Sequence, residues 1–325
     1  MTARNGATLV LGAYAMAPAA GTPEESAFYD GLREVDLGAL EFPLLAEGAP
    51  SLDPAWIARH VAPGWDLVVT CIPRTMQRLG QSPAYGLASD HDEGRRRALD
   101  DLAWVRTLAL GLADRHGRQV VTAVQVHSAP GPGLGSGAAL ARSLEEALSW
   151  DLAGAALVVE HCDARVPGQE PAKGFFPLAD ELEVLRGLGG RVGAGINWGR
   201  SAIEGRGAAT ATKHVAAAAQ ARLLRALIFS GAAAGPTAWG PAWEDGHLPP
   251  RGDDPALAAS ADSLLGPQEV RAALAAADGA DLILGAKVAV RPLDADVATR
   301  LAVARATLEM VARGADPGQR GATAV

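Results

Sequence analysis

Residues 156–165 read ALVVEHCDAR: an aliphatic run that stops abruptly at Glu160, His161, Cys162 and Asp163, four side chains able to bind protons or metals. Such an end is a catalytic edge, a metal site, or a strand running out into solvent. The choice depends on whether other strands end the same way. Comparable runs occur at TLVLGAY (8–14), DLGALEF (36–42), DLVVTCI (66–72) and VVTAVQV (120–126), then at RVGAGIN (191–197), ALIFS (226–230) and DLILGAKVAV (281–290). With ALVVE (156–160) they make eight strands spaced by roughly 25 to 55 residues, the spacing of strand–loop–helix units.

The segments between them carry helical periodicity. In residues 93–117, Leu99, Leu102, Val105, Leu108 and Leu112 form one stripe, and Gly117 is placed to stop the helix. Ser136 is an N-cap before residues 137–150, and Pro177 and Gly190 bracket another helix. Helices also precede the seventh strand and follow the eighth. Eight such units in one chain of 325 residues predict a closed (β/α)8 TIM barrel as a single domain, with enlarged loops after strands 3 and 7 and a frayed tail over 315–325. The alternative is an open doubly wound α/β sheet. That fold usually carries a Gly-rich turn after its first strand, whereas here AMAPAAGTPEES follows, with no GxGxxG, so no nucleotide cofactor is expected.

Composition narrows the function classes. Hydrophobic residues make up 49% and charged residues 20%, a globular rather than disordered balance. A net charge of -8 argues against nucleic acid as partner and against a polybasic membrane patch. Cys71 and Cys162 belong to no CxxC pair and read as reduced thiols rather than a bridge. The N-terminal stretch has a single basic residue and Gly12 and Tyr14 interrupt its apolar run, so a secretory signal is the weaker reading. No long apolar span is present. The expectation is a cytoplasmic protein acting on a small molecule, with room for self-association into a homo-oligomer.

In a TIM barrel the chemistry sits at the C-terminal strand ends. Strand two ends in Glu41, strand four in His127 and Ser128, strand five in Glu160 and His161, strand six in Asn197 followed by Trp198 and Arg200, and strand seven in Ser230. The loop after strand seven carries Trp243, Glu244, Asp245 and His247. Singly, each is a solvated edge or a structural residue; together they fall on one face. Lys287 is the sharpest, because alternation places it with Ile283 and Gly285. A lysine facing a barrel interior must pair with a carboxylate or lose its proton, and Glu41 and Glu160 are the candidate partners. By the same alternation Glu160 faces the pocket and His161 points away, Cys162 packs, and Asp163 belongs to the following loop. GPGLGSG (131–137) lacks the ending of a P-loop and reads as a flexible loop, and SDHDEGRRR (89–97) as a polar helix start.

Taken in order, these strand ends resemble the xylose-isomerase-like barrels of sugar isomerases and epimerases. LREVDLGALEFPLL (32–45), VQVHSAP (124–130) and LVVEHCD (157–163) are similar to that group's second, fourth and fifth strands. GLASDHDEGR, GINWGRSAIEGR, IFSGAAAGPTAWGPAWEDGHLPP and ADLILGAKVAVRP look like one uncharacterised branch within it. The resemblance implies a divalent metal, commonly Mn²⁺ or Mg²⁺, held by Glu, Asp, His and Glu on strands five to eight. Glu160 fits the first position, but Asn197, Ser230 and Lys287 stand at the other three. Two carboxylates lost and an ammonium gained make a poor site for a hard dication, unless it is rebuilt from Glu160, Asn197, Asp245 and His247.

The resemblance therefore implies a sugar or sugar-acid isomerase or epimerase, with Lys287 replacing a metal ligand. Lys287 then either stabilises an oxyanion or, kept neutral, forms a Schiff base. Glu160, His161, Asp245 and His247 are the acid–base candidates, and Glu41, His127, Asn197, Trp198, Arg200, Ser230 and Trp243 the substrate-binding ones. Alternatives are a carbonyl lyase, a glycoside-cleaving enzyme using Glu41 and Glu160, and a noncatalytic sugar-binding barrel. DNA-repair endonucleases of this fold are disfavoured by the ligand set and the acidic charge.

Overall fold

Aliphatic runs that keep a residue type on every second position are built to bury both faces, which is how the strands of a parallel barrel are used. A computed structural model describes residues 9–316, and in it eight such runs close into a parallel barrel in sequence order. The strands are β1 (Leu9–Leu11), β2 (Ala39–Pro43), β3 (Asp66–Thr70), β4 (Val121–Val126), β5 (Ala156–His161), β6 (Gly193–Asn197), β7 (Leu224–Phe229) and β8 (Ile283–Ala286). The open doubly wound sheet is thereby excluded. The tail beyond residue 316, and Thr8 at the start of the first expected strand, lie outside the described residues.

Around the barrel run α1 (Pro23–Leu32), α2 (Pro54–His60), α3 (Ile72–Gln81), α4 (Asp92–His116), α5 (Gly137–Leu148) and α6 (Leu178–Gly187). They are followed by α7 (Trp198–Glu204), α8 (Ala208–Gln220), α9 (Pro267–Ala276) and α10 (Val297–Ala315). The local signals act as expected. Gly117 ends α4 at φ 63°, a left-handed conformation that a Cβ would strain. The Ser136 hydroxyl accepts the Ala139 N–H at the start of α5. The connection from β3 to β4 holds two helices, α3 and α4, and that from β7 to β8 holds a 3₁₀ turn (Pro255–Ser260) and α9. Among the described residues no helix is long and apolar enough to cross a membrane.

Alternation splits each strand between two cores. Leu11, Leu40, Leu67, Val124, Leu157, Ile196, Leu227 and Leu284 belong to the large cluster shared with the helices. Val10, Ala39, Val68, Ala123, Val158 and Ala226 form a separate cluster with Ile283, a layer of small side chains filling the barrel interior. Two residues further along each strand lie Glu41, Gln125, Glu160 and Gly285 on the same inner side. The apolar layer is thus the floor on which the polar strand ends stand.

Two expected strands are shorter than the sequence suggests. β1 stops at Leu11, and Ala13–Ala15 turn as a 3₁₀ helix that redirects Tyr14. β8 stops at Ala286; the following backbone bonds from Lys287 N–H to the Phe229 carbonyl and from Ala289 N–H to the His247 carbonyl. Glycines permit both close approaches. A Cβ on Gly12 would lie 2.8 Å from Lys287 Cγ, and one on Gly285 would lie 2.0 Å from the Val10 carbonyl oxygen across the β1–β8 closure.

Candidate active site

Lys287 follows the last residue of β8, its side chain wholly buried, and its Nζ donates to Glu41 Oε1 at 2.6 Å. Tyr14 donates to the same carboxylate oxygen at 3.1 Å, and the ammonium stands 5.2 Å from the centre of the Tyr14 ring. Burial works against the charge on Lys287, but Glu41 and then Tyr14 outweigh it and hold its pKa above the ordinary lysine range. The lysine is a cation at neutral pH. Of the two roles expected for it, this favours the fixed positive charge over the neutral Schiff-base nucleophile.

Glu160, expected as a partner of Lys287, holds others. Its Oε2 forms an ion pair with Arg200 Nη1 at 2.9 Å and lies 2.8 Å from His127 Nε2, while Asn197 Nδ2 donates to Oε1 at 3.4 Å. Burial raises its pKa, but Arg200 and His127 overcome that and leave it well below the usual carboxylate range. His127 itself is pushed down by burial, which outweighs its bond to Glu160. Both oxygens of this carboxylate are engaged by Arg200, His127 and Asn197, which leaves it less open than the free nitrogen of His247. Asn197 has a second role: it caps α7 through its side-chain oxygen and the Arg200 N–H, which aims Arg200 across the mouth.

Arg200 continues to the loop after β7. Its Nε donates to Asp245 Oδ2 at 3.1 Å, where Lys173 Nζ also binds at 3.0 Å. Asp245 Oδ1 is 3.4 Å from His247 Nδ1, and the same nitrogen lies 3.2 Å from Ser230 Oγ. Burial, with help from Lys287, Arg200 and Lys173, outweighs Asp245 and pushes the His247 imidazole below the usual histidine range. His247 is thus a neutral imidazole whose side chain keeps 18% of its surface exposed, more than Asp245, Arg200, Glu160 or Lys287 beside it. Trp243 and His247, on either side of Asp245, have φ of 65° and 53°, left-handed values that cost energy in non-glycine residues and gather at functional loops.

The structure thus brings Glu41, His127, Glu160, Asn197, Arg200, Ser230, Asp245, His247 and Lys287 into one linked set. It does not bring the two tryptophans into it as sugar platforms. Trp198 is fully buried at the start of α7, and the Trp243 ring lies under the Arg206 guanidinium at 5.1 Å. Three residues at the mouth carried weak signals or none: Tyr14 hidden in an apolar run, Gln125 with both amide atoms buried and unpartnered, and Lys173 in the loop after β5. Glu41 Oε2 and His127 Nδ1 are also buried without a protein partner.

The inner ligand set does not suit a divalent ion. His127, Glu160 and Cys162 have donor atoms within 4.8 Å of one another. Arg200 Nη1, however, stands 2.9 Å from Glu160 Oε2 and 3.4 Å from Cys162 Sγ, so a guanidinium already fills the place of a cation. Asp245 is likewise taken by Arg200 and Lys173, and burial pushes the Cys162 thiol pKa up, away from the thiolate a metal needs.

His161 points outward, with Val159, toward the helices. Its Nδ1 is 2.8 Å from Glu181 Oε2 on α6 and its Nε2 is 3.1 Å from Glu204 Oε2 on α7. Burial disfavours the imidazolium, but Glu181 and Glu204 prevail and raise its pKa to about 10. A folded pKa above the unfolded value of about 6.5 means stability that is complete below that pH and is lost as pH rises toward the folded value. In chelator, stability measured by urea unfolding is therefore expected to fall between about pH 7.5 and 8.5 by about 1 kcal/mol from His161 alone. A profile as steep in His161→Gln would show that the slope arises elsewhere.

A family model described as a domain of unknown function, DUF4862, matches residues 10–303. The uncharacterized protein STM3670 of Salmonella typhimurium is 37% identical over 238 residues, which cover 70% of this chain and 74% of that protein. Among solved structures, an L-ribulose 3-epimerase aligns over 97% of each chain with a TM-score of 0.58 and 16% identity. The IolI protein with a bound zinc atom aligns over 94% of this chain and 98% of its own, with a TM-score of 0.56 and 11% identity. D-psicose 3-epimerase from Clostridium cellulolyticum H10 has a TM-score of 0.52 and 13% identity over 95% of this chain and 98% of its own. At these identities the structural likenesses show the fold alone, a closed (β/α)8 barrel shared with sugar epimerases.

Proposed function

The chain belongs to the DUF4862 family, and from that premise we propose that it is a carbohydrate isomerase or epimerase whose Lys287 ammonium does the work of a metal ion. The observation that carries this reading is the wholly buried Lys287–Glu41 pair at the strand end, beside a neutral His247. Sugar epimerases among the proteins of this fold support the substrate class. So do the buried, unpartnered atoms of Glu41, Gln125 and His127, which match the hydroxyls of a polyol.

The proposed step begins at a carbon next to a carbonyl. The free imidazole nitrogen of His247 takes the C–H proton, and Asp245 offsets part of the burial that opposes the resulting imidazolium. The electron pair moves onto the carbonyl oxygen, and the Lys287 ammonium stabilises the enediolate. Return of the proton to the neighbouring carbon, with the hydroxyl proton on that carbon passing to the former carbonyl oxygen, isomerises the sugar. Release of the His247 proton to solvent and delivery of a solvent proton to the opposite face of the same carbon epimerises it. Glu160, fixed by Arg200 and His127, accepts from a sugar hydroxyl and orients the ring. This assigns the base to His247 rather than to Glu160, which alternation alone favoured. It also weighs against glycoside cleavage, because Glu160 cannot serve as the required acid and Glu41 already holds an ammonium.

The test follows the C–H bond. Incubation in D₂O with EDTA and a panel of aldoses, ketoses and sugar acids should show, by proton NMR, exchange next to the carbonyl of one of them. Exchange that appears only when Mn²⁺ or Mg²⁺ is added overturns the metal-free reading. Thermal stabilisation by a sugar with no exchange makes the protein a binding barrel.

A further inference from the structure

The outer side of β5 holds a second cluster that the proposed sugar chemistry does not use. His161 (β5), Glu204 (α7) and His214 (α8) have donor atoms within 4.8 Å of one another. The Glu204 carboxylate lies between the two rings, Oε2 3.1 Å from His161 Nε2 and Oε1 3.6 Å from His214 Nε2. Tetrahedral zinc with bonds of about 2.0–2.1 Å separates its ligand atoms by about 3.3 Å, between those two spacings. The far nitrogen of each ring is also tied down. His161 Nδ1 meets Glu181 Oε2 at 2.8 Å, and Ser128 Oγ donates to the other oxygen of Glu181 at 2.5 Å. His214 Nδ1 lies 3.0 Å from Ser201 Oγ. The Ala164 N–H donates to Glu204 Oε2 at 2.8 Å. One histidine backed by a carboxylate, the other by a hydroxyl, and a hydrogen-bonded ligand carboxylate resemble the outer arrangement of zinc sites, where such partners fix tautomer and ring orientation.

We propose that His161, Glu204 and His214 form a zinc site on the outer face of the barrel, with the fourth position left to a solvent molecule. Two imidazoles and one carboxylate suit a borderline ion such as zinc better than the hard ions Mg²⁺ or Ca²⁺. Charge favours it too. Zinc would replace one proton on His161 Nε2, and its two positive charges would balance Glu181 and Glu204. His161 is fully buried while the side chains of Glu204 and His214 keep 14% and 15% exposure, so solvent reaches the site from one side. The ion would join β5, α7 and α8, and α7 is the helix that carries Arg200 into the mouth.

The test uses the full chain, stripped with chelator and titrated with Co²⁺ and with Zn²⁺. One equivalent of Co²⁺ with the intense visible bands of four-coordinate geometry is expected, displaced by one equivalent of Zn²⁺. His214→Ala and Glu204→Gln should each weaken binding at least tenfold, and Ser201→Ala, through positioning alone, about tenfold. Glu160→Gln should leave the cobalt spectrum unchanged, which separates this site from the barrel mouth. If His214→Ala fails to fold by circular dichroism, His214→Gln serves in its place. No uptake by folded wild type, a weak six-coordinate spectrum, unchanged affinity in the folded His214 and Glu204 variants, or loss of the spectrum in Glu160→Gln would each overturn the proposal.

Discussion

Replacing Lys287 with Met should lower the rate of sugar C–H exchange on the order of a thousandfold, about 4 kcal/mol in the barrier. The side chain keeps its length and apolar stem, so what is removed is the charge that, in the proposed step, meets the enediolate. The same change removes the partner of Glu41, which is 2% exposed and whose second oxygen already has no protein partner. An uncompensated buried charge of this kind costs about 3–5 kcal/mol of stability. The two effects separate in the double variant Glu41→Gln with Lys287→Met. Neutralising both partners should restore most of the lost stability, measured by urea unfolding, while exchange stays abolished. Recovery of exchange together with stability would make Lys287 a structural residue and end the case for its chemical role.

Arg200→Met should be the most destabilising single change at the mouth that leaves the ammonium in place. Arg200 is 1% exposed and binds two carboxylates, Glu160 at 2.9 Å and Asp245 at 3.1 Å. Its loss strands Glu160 in the interior with only His127 and Asn197, at a cost of about 3–5 kcal/mol. Asp245 retains Lys173, whose side chain is 14% exposed. The loop over the mouth should therefore loosen rather than detach. Hydrogen exchange of the amides around Asp245 should quicken at least tenfold, with β3 and β4 unchanged. Lys173→Met, at the rim, should have the smaller effect on both measures. Equal stability of Arg200→Met and wild type would mean that the linked charges add nothing to the fold.

Much of the site was legible because alternation and strand ends are local facts. Val158 and Glu160 share a face in any extended strand, and so do Gly285 and Lys287, so the inward direction of both followed without knowledge of their neighbours. His161, one residue from Glu160, followed outward by the same rule. The pairing was not legible. Glu41 and Glu160 were equal partners for Lys287 until closure of β1 onto β8 brought Tyr14, Glu41 and Lys287 together, and the Asn197 cap on α7, at the end of β6, brought Arg200 to Glu160. The outer cluster was invisible for the same reason. Glu204 and His214 sit on helices whose periodicity explains them fully as surface positions, and only packing against β5 sets them around His161.

The amino-acid order by itself determined eight strand–helix units and the face on which each polar strand end would stand. These are consequences of side-chain period and residue identity, which act over a few residues. The tertiary structure decided which charge meets which: that Lys287 pairs with Glu41, that His247 meets Asp245 and Ser230, and that His161 turns outward to Glu181 and Glu204. Ionic partners and pKa values depend on burial and on distances of a few ångströms between segments far apart in the chain, and only the closed barrel sets those distances.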